Sequence, residues 1–370
     1  MTLLVRNFTE NIGNQTESQM GDQGSTTEMG ADYVTSSMNV TAECLPDGHF
    51  FVTRFLPLSY SFLFIASFIL NCMAGWVFFH LTSKKPMVVF LKNIIVADLV
   101  MTMTFPFTIL SHTQVKQNIH AVVCQFSAVI FYVTMYINII LLGLISLNRY
   151  VKIVRDHKHS LLNNAKFAKI ASVLVWIIMF LTALPNMFLN ETDLPRISRC
   201  IESKSVIGVE WHMFSVYFSI LIFFATCLVM SFSYVYILRT IYYSRANTGR
   251  KLSLGKQKSR RKVFYILGVF FVCFVPYNIY RVLYPGRKTE TASCTTQNTL
   301  FFIKEGLVLL SAVNTCLDPI LYFLLCKSFT RSIQKTYNRF WGENKQKNAQ
   351  SMNDSKIKTD TEIQTTESRQ

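Results

Sequence analysis

Residues Cys124 to Tyr150, CQFSAVIFYVTMYINIILLGLISLNRY, decide the fold. These 27 residues are almost uniformly apolar and are long enough to cross the hydrocarbon core of a bilayer as a tilted helix. Tyr132 and Tyr136 lie one helical turn apart near one end, so one face of the helix can line a cavity. Arg149 stands at the other end, at the boundary with the cytosol. The stretch therefore predicts the central helix of a membrane-embedded bundle.

The composition also indicates a membrane protein. Soluble domains carry about 25% charged residues, whereas this chain has 16% charged, 51% hydrophobic and 14% aromatic residues. The formal net charge of +16 could indicate a nucleic-acid partner, but basic cytoplasmic loops of a membrane protein give the same total. We therefore predict membrane lipids, and no nucleic acid, as partners.

Seven apolar segments of spanning length follow one another along the chain. They are residues 55–81, 87–110, 122–151, 167–189, 211–243, 263–284 and 300–325. Lys and Arg concentrate in the first, third and fifth connectors, which the positive-inside rule places in the cytosol. Because the number of spans is odd, the N-terminus is then extracellular. The sequence predicts an all-α, multi-pass plasma-membrane protein built as a seven-helix transmembrane bundle.

The bundle, residues 54–326, is flanked by polar segments. Residues 1–53 predict a disordered, glycosylated extracellular arm. The sequons begin at Asn7, Asn14 and Asn39 in the arm and at Asn190 in a loop. Residues 327–341 space apolar residues among cations and predict a short amphipathic helix on the inner leaflet, with a frayed basic tail as the alternative. Residues 342–370 predict a disordered cytoplasmic tail.

A few polar residues lie inside the apolar spans, where they are functional candidates because lipid does not solvate them. They are Asn71, Asp98, Asn138, Asn314 and Asp318. We expect the last four to surround a hydrated cavity or a sodium ion, and the alternative is a hydrogen-bonded lock between helices without an ion. No HExxH, GxSxG or P-loop pattern occurs. We therefore predict no enzymatic activity, no other cofactor and no metal site.

Cations and tyrosines collect at one end of the bundle. With the asparagine and the glutamate beside them, the set comprises Asn278, Arg281 and Tyr284 at the end of the sixth span, Lys304 and Glu305 at the start of the seventh, and Lys204 and His212 beside the fifth. Such a set suits a ligand with phosphate and a ring, through charge-assisted hydrogen bonds and stacking. In the alternative, Arg281 and Lys304 reach lipid headgroups and Lys304 pairs with Glu305.

Four cysteines lie on the predicted extracellular side, where disulfides form. They are Cys44, Cys124, Cys200 and Cys294. The residues alone leave three connectivities open.

Short motifs stand at fixed places along the spans: Asn71, Leu91-Lys92-Asn93, Ala97-Asp98-Leu99, Asn148-Arg149-Tyr150, Trp176, Cys273-Phe274-Val275-Pro276, Asn314 and Asp318-Pro319-Ile320-Leu321-Tyr322. Residues 55–340 thereby resemble the rhodopsin-like G-protein-coupled receptors. The resemblance implies a seven-helix receptor that activates a heterotrimeric G protein. The residues that it implies in coupling and activation are Asn148, Arg149, Tyr150, Phe274, Pro276, Asp318, Pro319 and Tyr322.

Longer strings, among them FLKNIIVADLVMTMTFPF and LFFIKEGLVLLSAVNTCLDPILYFLLCKSF, resemble the purinergic nucleotide receptors, in the Gi-coupled branch that senses ADP and UDP-sugars. The resemblance implies an extracellular nucleotide ligand and a Gi-type partner. The ligand contacts that it implies are Tyr132, Tyr136, Asn186, Lys204, His212, Arg281, Tyr284 and Lys304, with Asn278 beside them. The disulfides that it implies join Cys124 to Cys200 and Cys44 to Cys294.

Three residues depart from the pattern of that branch. Asn278 replaces a histidine and keeps a donor without its charge, and Val216 replaces a polar residue. An orphan or lysophospholipid-sensing receptor of the same class is therefore the alternative. Asn148 replaces the acid before Arg149, which weakens the restraint on that arginine and predicts raised basal signalling.

A transporter or channel would need an unbroken polar path, which phenylalanines in the sixth span interrupt. Homo-oligomer formation is left open.

Overall fold

The computed structural model describes residues 50–80, 85–113, 122–152, 164–189, 204–246, 254–284, 294–325 and 330. Several predictions fall outside these residues. They are the sequons at Asn7, Asn14, Asn39 and Asn190, the cysteines Cys44 and Cys200, the side chain of Cys294, residues 342–370 and, except for Thr330, residues 327–341.

The described elements are helices. Their bounds are α1 Leu56–His80 after a π-helical turn Phe51–Phe55, α2 Pro86–His112, α3 Ala128–Tyr150 after a π-helical turn Val123–Ser127, α4 Ala165–Phe188, α5 Val206–Ala246, α6 Leu254–Leu283, α7 Cys294–Ala312 and α8 Asn314–Leu325. Within the described residues, seven segments are long and apolar enough to cross a membrane, and the seventh, Thr295–Tyr322, combines α7 with most of α8. The predicted all-α fold with seven spans is confirmed.

Helix α3 is the centre of the bundle, as its sequence predicts. It contacts α2, α4, α5 and α6. In its most apolar 18-residue stretch 67% of the residues are buried, against 22% to 44% in the other spans. The approach of α5 is close because Gly143 has no side chain, and a Cβ there would lie 2.7 Å from Thr226 Cγ2. The polar side chains of α3 therefore face neighbouring helices and not lipid.

Side chains of neighbouring helices donate hydrogen bonds to backbone carbonyls close to two prolines. Pro319 in α8 has no N–H to donate to the carbonyl one turn earlier, that of Thr315. Asn71 of α1 donates to this oxygen from Nδ2 at 2.8 Å. Near Pro276 of α6, the carbonyl of Cys273 accepts a hydrogen bond from the hydroxyl of Ser311 at 2.9 Å. These bonds connect α8 to α1 and α6 to α7.

One end of the bundle is formed by the starts of α3, α5 and α7 and the ends of α4 and α6. The indole of Trp211 in α5 donates to the carbonyl of Thr182 in α4, and Gln125 donates to the carbonyl of Met187. The Tyr280 hydroxyl of α6 donates to the carbonyl of Leu300 in α7. We refer to this end of the bundle as the mouth, because the predicted ligand contacts lie there.

Candidate functional site

Arg281 of α6 lies against two tyrosine rings of α3. Its guanidinium carbon is 5.4 Å from the ring centre of Tyr132 and 5.8 Å from that of Tyr136. Its Nη1 donates a hydrogen bond to the Tyr136 hydroxyl at 3.0 Å. A guanidinium held over aromatic faces gains cation–π attraction and is restricted in orientation. Helical spacing in two different spans thus brings together the residues that the sequence singles out.

Asn278 orients Tyr136. The Tyr136 hydroxyl donates to Asn278 Oδ1 at 2.7 Å, and Asn278 Nδ2 donates to the carbonyl of Phe274 in its own helix at 2.9 Å. The donor that the sequence suggested for a ligand is therefore used inside α6. Asn278 is fully buried and acts on the mouth through Tyr136.

Tyr277 is a residue of this site that the sequence reasoning missed. Its ring stacks on Tyr132 with the ring centres 5.8 Å apart and an interplanar angle of 16°. Tyr277 precedes Arg281 by four residues, so the two share a helix face. That spacing is the signal from which Tyr277 could have been found.

A second group joins the end of α4 to the start of α5. Asn186 accepts a hydrogen bond from Lys204 Nζ at its backbone oxygen, 3.0 Å away. Its side-chain Oδ1 lies 3.3 Å from His212 Nδ1, and its Nδ2 donates to Ser215 Oγ at 2.9 Å. Burial lowers the pKa of the Lys204 ammonium. Three predicted contacts, Asn186, Lys204 and His212, are thus brought together.

The backbone geometry at Gly208 allows this arrangement. The Gly208 N–H donates to Ser205 Oγ at 3.2 Å, which caps the start of α5. A Cβ at Gly208 would overlap the carbonyl oxygen of Leu189 at the end of α4. His212, one turn further along α5, interacts electrostatically with both Lys204 and Arg281. The two groups therefore belong to one mouth.

Lys304 has an acidic partner, as the alternative interpretation expected. Its ammonium lies 2.9 Å from Glu305 Oε1, and Glu305 Oε2 lies 4.0 Å from His112 Nε2. The side chain of Lys304 is 41% exposed, whereas those of Glu305 and His112 are 12% exposed. Part of the Lys304 charge is thus compensated within the protein while its side chain still faces outward.

Tyr284 is placed differently from its neighbours on α6. It is 41% exposed, and its ring contacts Tyr280 at 5.4 Å between ring centres. Steps of three residues rotate by about 300° around a helix, so the row from Asn278 through Arg281 drifts away from the bundle interior by Tyr284. Tyr284 as a ligand contact stays a prediction. Val216, the apolar departure on α5, is buried at 6% exposure.

The polar residues inside the spans form a buried network. Asn138 Nδ2 donates to Asp98 Oδ1 at 2.7 Å, the Tyr322 hydroxyl donates to Asp98 Oδ2 at 3.2 Å, and Asn314 Nδ2 donates to Asp318 Oδ2 at 2.7 Å. Asp98 and Asp318 interact electrostatically. In the described part of the chain, buried oxygens without a donor include Oδ1 of Asn71, Asn138, Asn314 and Asp318. The carboxylates of Asp98 and Asp318, with the unpaired oxygens of Asp318, Asn138 and Asn314, are a donor set that suits a hard monovalent cation.

Three predicted coupling residues, Asn148, Arg149 and Tyr150, lie at the end of the bundle opposite the mouth. Arg149 Nη2 contacts Met87 Sδ at 3.6 Å, and its buried Nε has no hydrogen-bond acceptor among the described residues. The Tyr150 ring packs edge-on against Phe232 and Tyr236 of α5. Asn148 is buried at 6% exposure. No carboxylate in the described chain pairs with Arg149.

Three further predicted coupling residues, Phe274, Asp318 and Tyr322, are fully buried inside the bundle. Phe274 is fully buried and contacts Phe270, which stacks on Phe223 of α5. The Tyr265 hydroxyl donates to the carbonyl of Leu317 at 3.1 Å. Cys124 takes part in a disulfide, and its pairing with Cys200 stays a prediction.

Seven spans form a bundle with cations and tyrosines at one end and a buried polar network inside it. At the other end lies an arginine without an acidic partner among the described residues. This is the architecture of a transmembrane receptor. Comparison with known proteins agrees. Residues 70–322 match the family "7 transmembrane receptor (rhodopsin family)", so the chain belongs to the rhodopsin family of G-protein-coupled receptors. It is thus a multi-pass membrane receptor and not an enzyme.

Comparison with individual relatives indicates which receptors of the rhodopsin family the chain resembles. The chain is 41% identical to bovine (Bos taurus) purinoceptor 14 over 295 residues, which cover 78% of this chain and 87% of the relative. It is 36% identical to human (Homo sapiens) purinoceptor 13 over 87% of this chain and 92% of the relative. It is 35% identical to mouse (Mus musculus) G-protein coupled receptor 87 over 86% of this chain and 92% of the relative. Within the rhodopsin family, the chain is related to the purinoceptors.

Proposed function

We propose that the chain is a plasma-membrane receptor for an extracellular nucleotide, ADP-like or a UDP-sugar, and that it signals through a Gi-type G protein. Its N-terminus is extracellular, so the mouth opens to the outside. The names of the relatives purinoceptor 14 and purinoceptor 13 support a nucleotide ligand. Gi coupling rests on the resemblance of the sequence to that branch.

The observation that carries the proposal is the environment of Arg281. Its guanidinium contacts two tyrosine rings and one hydroxyl, and no carboxylate in the described chain pairs with it. A partly buried guanidinium without an acid is expected to bind an anion. Phosphate oxygens match its fork of N–H donors. Lys204 and Lys304 stand at the same mouth for further phosphate oxygens.

Ligand binding activates the receptor by raising the fraction of molecules in the open, active state. The receptor exchanges between a resting state and an open, active state. A nucleotide that binds the open state more tightly favours that state, and the shift is set by the difference in binding free energy between the two states. Arg281 is connected to the turn before Pro276 through Tyr136, Asn278 and the Phe274 carbonyl. We expect α6 to move about this kink, so that Arg149 becomes available to the G protein.

The test is agonist-stimulated nucleotide exchange on Gi in membranes that contain the chain. ADP, UDP-glucose and a panel of lysophospholipids are compared on the wild type and on Arg281→Ala. Charge-assisted hydrogen bonds contribute about 1.5–3 kcal/mol, so Arg281→Ala is expected to raise the effective nucleotide concentration by about 10-fold to 100-fold. Arg54→Ala removes an exposed cation from the start of the first span and is the matched control.

The outcomes separate the alternatives. A response to one nucleotide whose effective concentration rises by about 10-fold to 100-fold in Arg281→Ala and is unchanged in Arg54→Ala supports the proposal. A response to lysophospholipids alone would refute the nucleotide ligand and indicate that Asn278 and Val216 have changed the pocket. Exchange on another G-protein class without exchange on Gi would refute the coupling and leave the ligand proposal standing.

We further propose that Asp98, Asn138, Asn314 and Asp318 bind an allosteric sodium ion that favours the resting state. The ion would supply the positive charge that two buried carboxylates require. Replacing sodium chloride by choline chloride is then expected to raise agonist affinity in the wild type. In Asp98→Asn the salt effect is expected to disappear, and a salt effect of wild-type size in this variant would contradict the proposal.

A further inference from the structure

Arg149 of α3 carries a charge that the described residues do not balance. Its Nη2 contacts Met87 Sδ at 3.6 Å, and a thioether sulfur is only a weak acceptor. Its buried Nε has no acceptor in the part of the chain that the structure describes, and the ion pairs found there involve Glu305 at the mouth. A buried charge is costly unless it is paired and hydrogen-bonded. The guanidinium therefore offers both a charge and an N–H donor to an anion.

Ser233 of α5 is a second polar group with an unused donor. It is 1% exposed, and its Oγ has no hydrogen-bond partner among the described residues. Other buried serines of the spans donate to a carbonyl one turn earlier in their own helix, as Ser172 does to Ala168 and Ser219 does to Ser215. Ser233 does not form this bond, so its hydroxyl can donate to a partner outside its own helix.

One cavity brings the two groups together. It lies between α3, α5 and α6 at the end of the bundle opposite the mouth, and both Arg149 and Ser233 line it. It has room for about one particle of the size of a water molecule. Ser146 and Tyr234 add hydroxyl groups, and the remaining wall is formed by the apolar residues Met230, Ile237, Ile266 and Leu267. A guanidinium and hydroxyl groups in an otherwise apolar wall favour a small anion.

We propose that this cavity binds a chloride ion in the resting state, and that the Arg149 guanidinium and the Ser233 hydroxyl both donate hydrogen bonds to it. A water molecule accepts the same bonds but leaves the charge of Arg149 unbalanced. Phosphate and sulfate are too large for a cavity of this size. Because the residue before Arg149 is an asparagine, the adjacent chain supplies no carboxylate, and the chloride ion provides the negative charge instead.

The ion also restrains Arg149. A G protein contacts the guanidinium only after the ion has left, so chloride favours the resting state by the difference in its affinity for the two states. This effect on signalling rests on the proposed coupling to a G protein. The binding of chloride does not depend on that coupling or on the nucleotide ligand.

The test measures the melting temperature of the purified full chain while chloride replaces gluconate at constant sodium concentration and ionic strength. Constant sodium keeps the result separate from the sodium site. A ligand that binds the folded state raises its stability as the ligand concentration increases, so the melting temperature of the wild type is expected to rise with chloride. Ser233→Ala removes a hydrogen bond to an ion, and we expect it to need about tenfold more chloride for the same rise.

The matched control is Ser219→Ala. Ser219 is also a buried serine of α5, but its hydroxyl donates to the carbonyl of Ser215. We expect this variant to respond to chloride like the wild type. A chloride response that is weakened in Ser233→Ala and kept in Ser219→Ala supports the proposal. Equal responses in the two variants would overturn it, and so would a response to sulfate as large as the response to chloride, because a general salt effect needs no cavity.

Asn148→Asp is the second variant, and it decides the proposal if Ser233→Ala does not fold. It places a carboxylate beside Arg149, so chloride is expected to lose most of its effect on the melting temperature. A chloride response of wild-type size in this variant would contradict the role of the ion as a counter-charge. No chloride response in the wild type would show that water fills the cavity and would also overturn the proposal.

Agonist-free nucleotide exchange tests the restraint on Arg149. Exchange is expected to be lower in chloride than in gluconate for the wild type, with a smaller difference for Ser233→Ala. An equal difference in the two proteins would refute the restraint. Failure to drive exchange in either salt, together with a normal chloride response of the melting temperature, would refute the proposed coupling and support the chloride site.

Discussion

Removing one oxygen atom, by Tyr136→Phe, tests how the mouth is held. The Tyr136 hydroxyl accepts from Arg281 Nη1 at 3.0 Å and donates to Asn278 Oδ1 at 2.7 Å. Asn278 is fully buried, so its oxygen would lose its described donor without gaining water. An unsatisfied buried acceptor costs about 1–3 kcal/mol. We therefore expect a melting temperature several degrees lower for the purified receptor, read by a thiol-reactive or tryptophan fluorescence assay.

The same change is expected to reduce agonist potency. Arg281 would keep its contacts with the two rings but lose the hydrogen bond that fixes its rotation. This hydrogen bond has a charged donor and contributes about 1.5–3 kcal/mol, so the effective agonist concentration should rise by about 10-fold or more. Tyr217→Phe, which removes a hydroxyl from a side chain that is 58% exposed on α5, is the control for the loss of a phenol.

A double variant separates the two effects. In Tyr136→Phe with Asn278→Leu both partners of the buried hydrogen bond are apolar, and such a replacement is close to neutral in stability. We expect the melting temperature to recover toward the wild type while potency stays low, because Arg281 still lacks its hydroxyl partner. Recovery of both quantities would show that Tyr136 supports the fold and does not orient Arg281. An unchanged melting temperature in the single variant would refute the buried hydrogen bond itself.

Three further predictions concern other parts of the bundle. Glu305→Gln removes the acid beside Lys304 and is expected to increase agonist potency several-fold in the exchange assay, whereas a loss of potency would make Glu305 a structural partner only. Gly143→Ala is expected to lower stability by about 1–3 kcal/mol through overlap with Thr226, and Thr226→Ser, which removes the crowded methyl group, should restore the melting temperature. Asn148→Asp gives Arg149 an acidic neighbour and should lower agonist-free exchange, so unchanged basal exchange would show that this asparagine does not set it.

Most of the fold follows from the sequence because each span has the length and apolarity that a bilayer demands. The ends of the helices are less predictable. Helix α5 begins at Val206, five residues before the predicted start, since Ser205 caps it and Gly208 lets it approach Leu189. The interruption at Val313 between α7 and α8 also has no signal in the hydropathy. Capping and close approach depend on neighbouring helices, which local sequence does not specify.

In the candidate site, too, some features could be predicted from the sequence and others could not. Arg281 and Tyr136 were predicted from helical spacing, because a helix fixes which side chains share a face. Tyr277 was missed, and the sequence does not show that the Asn278 amide donates to the Phe274 carbonyl. Hydrogen-bond partners are chosen among several acceptors in three dimensions. A sequence can therefore indicate which polar residues are buried together. It is less able to indicate which atoms of these residues form hydrogen bonds with each other.

The chemistry of the mouth and the kink of α6 are connected by hydrogen bonds to adjacent carbonyls. From Arg281 the connection runs through Tyr136 and Asn278 to the carbonyl of Phe274, two residues before Pro276. The preceding carbonyl, that of Cys273, is held by Ser311 of α7. Because proline removes one bond of the helix ladder at this point, the kink depends on such side-chain partners more than an unbroken turn would. An anion that draws Arg281 away from Tyr136 would loosen one of these two bonds and leave the other in place, so α6 is expected to rotate about its attachment to α7.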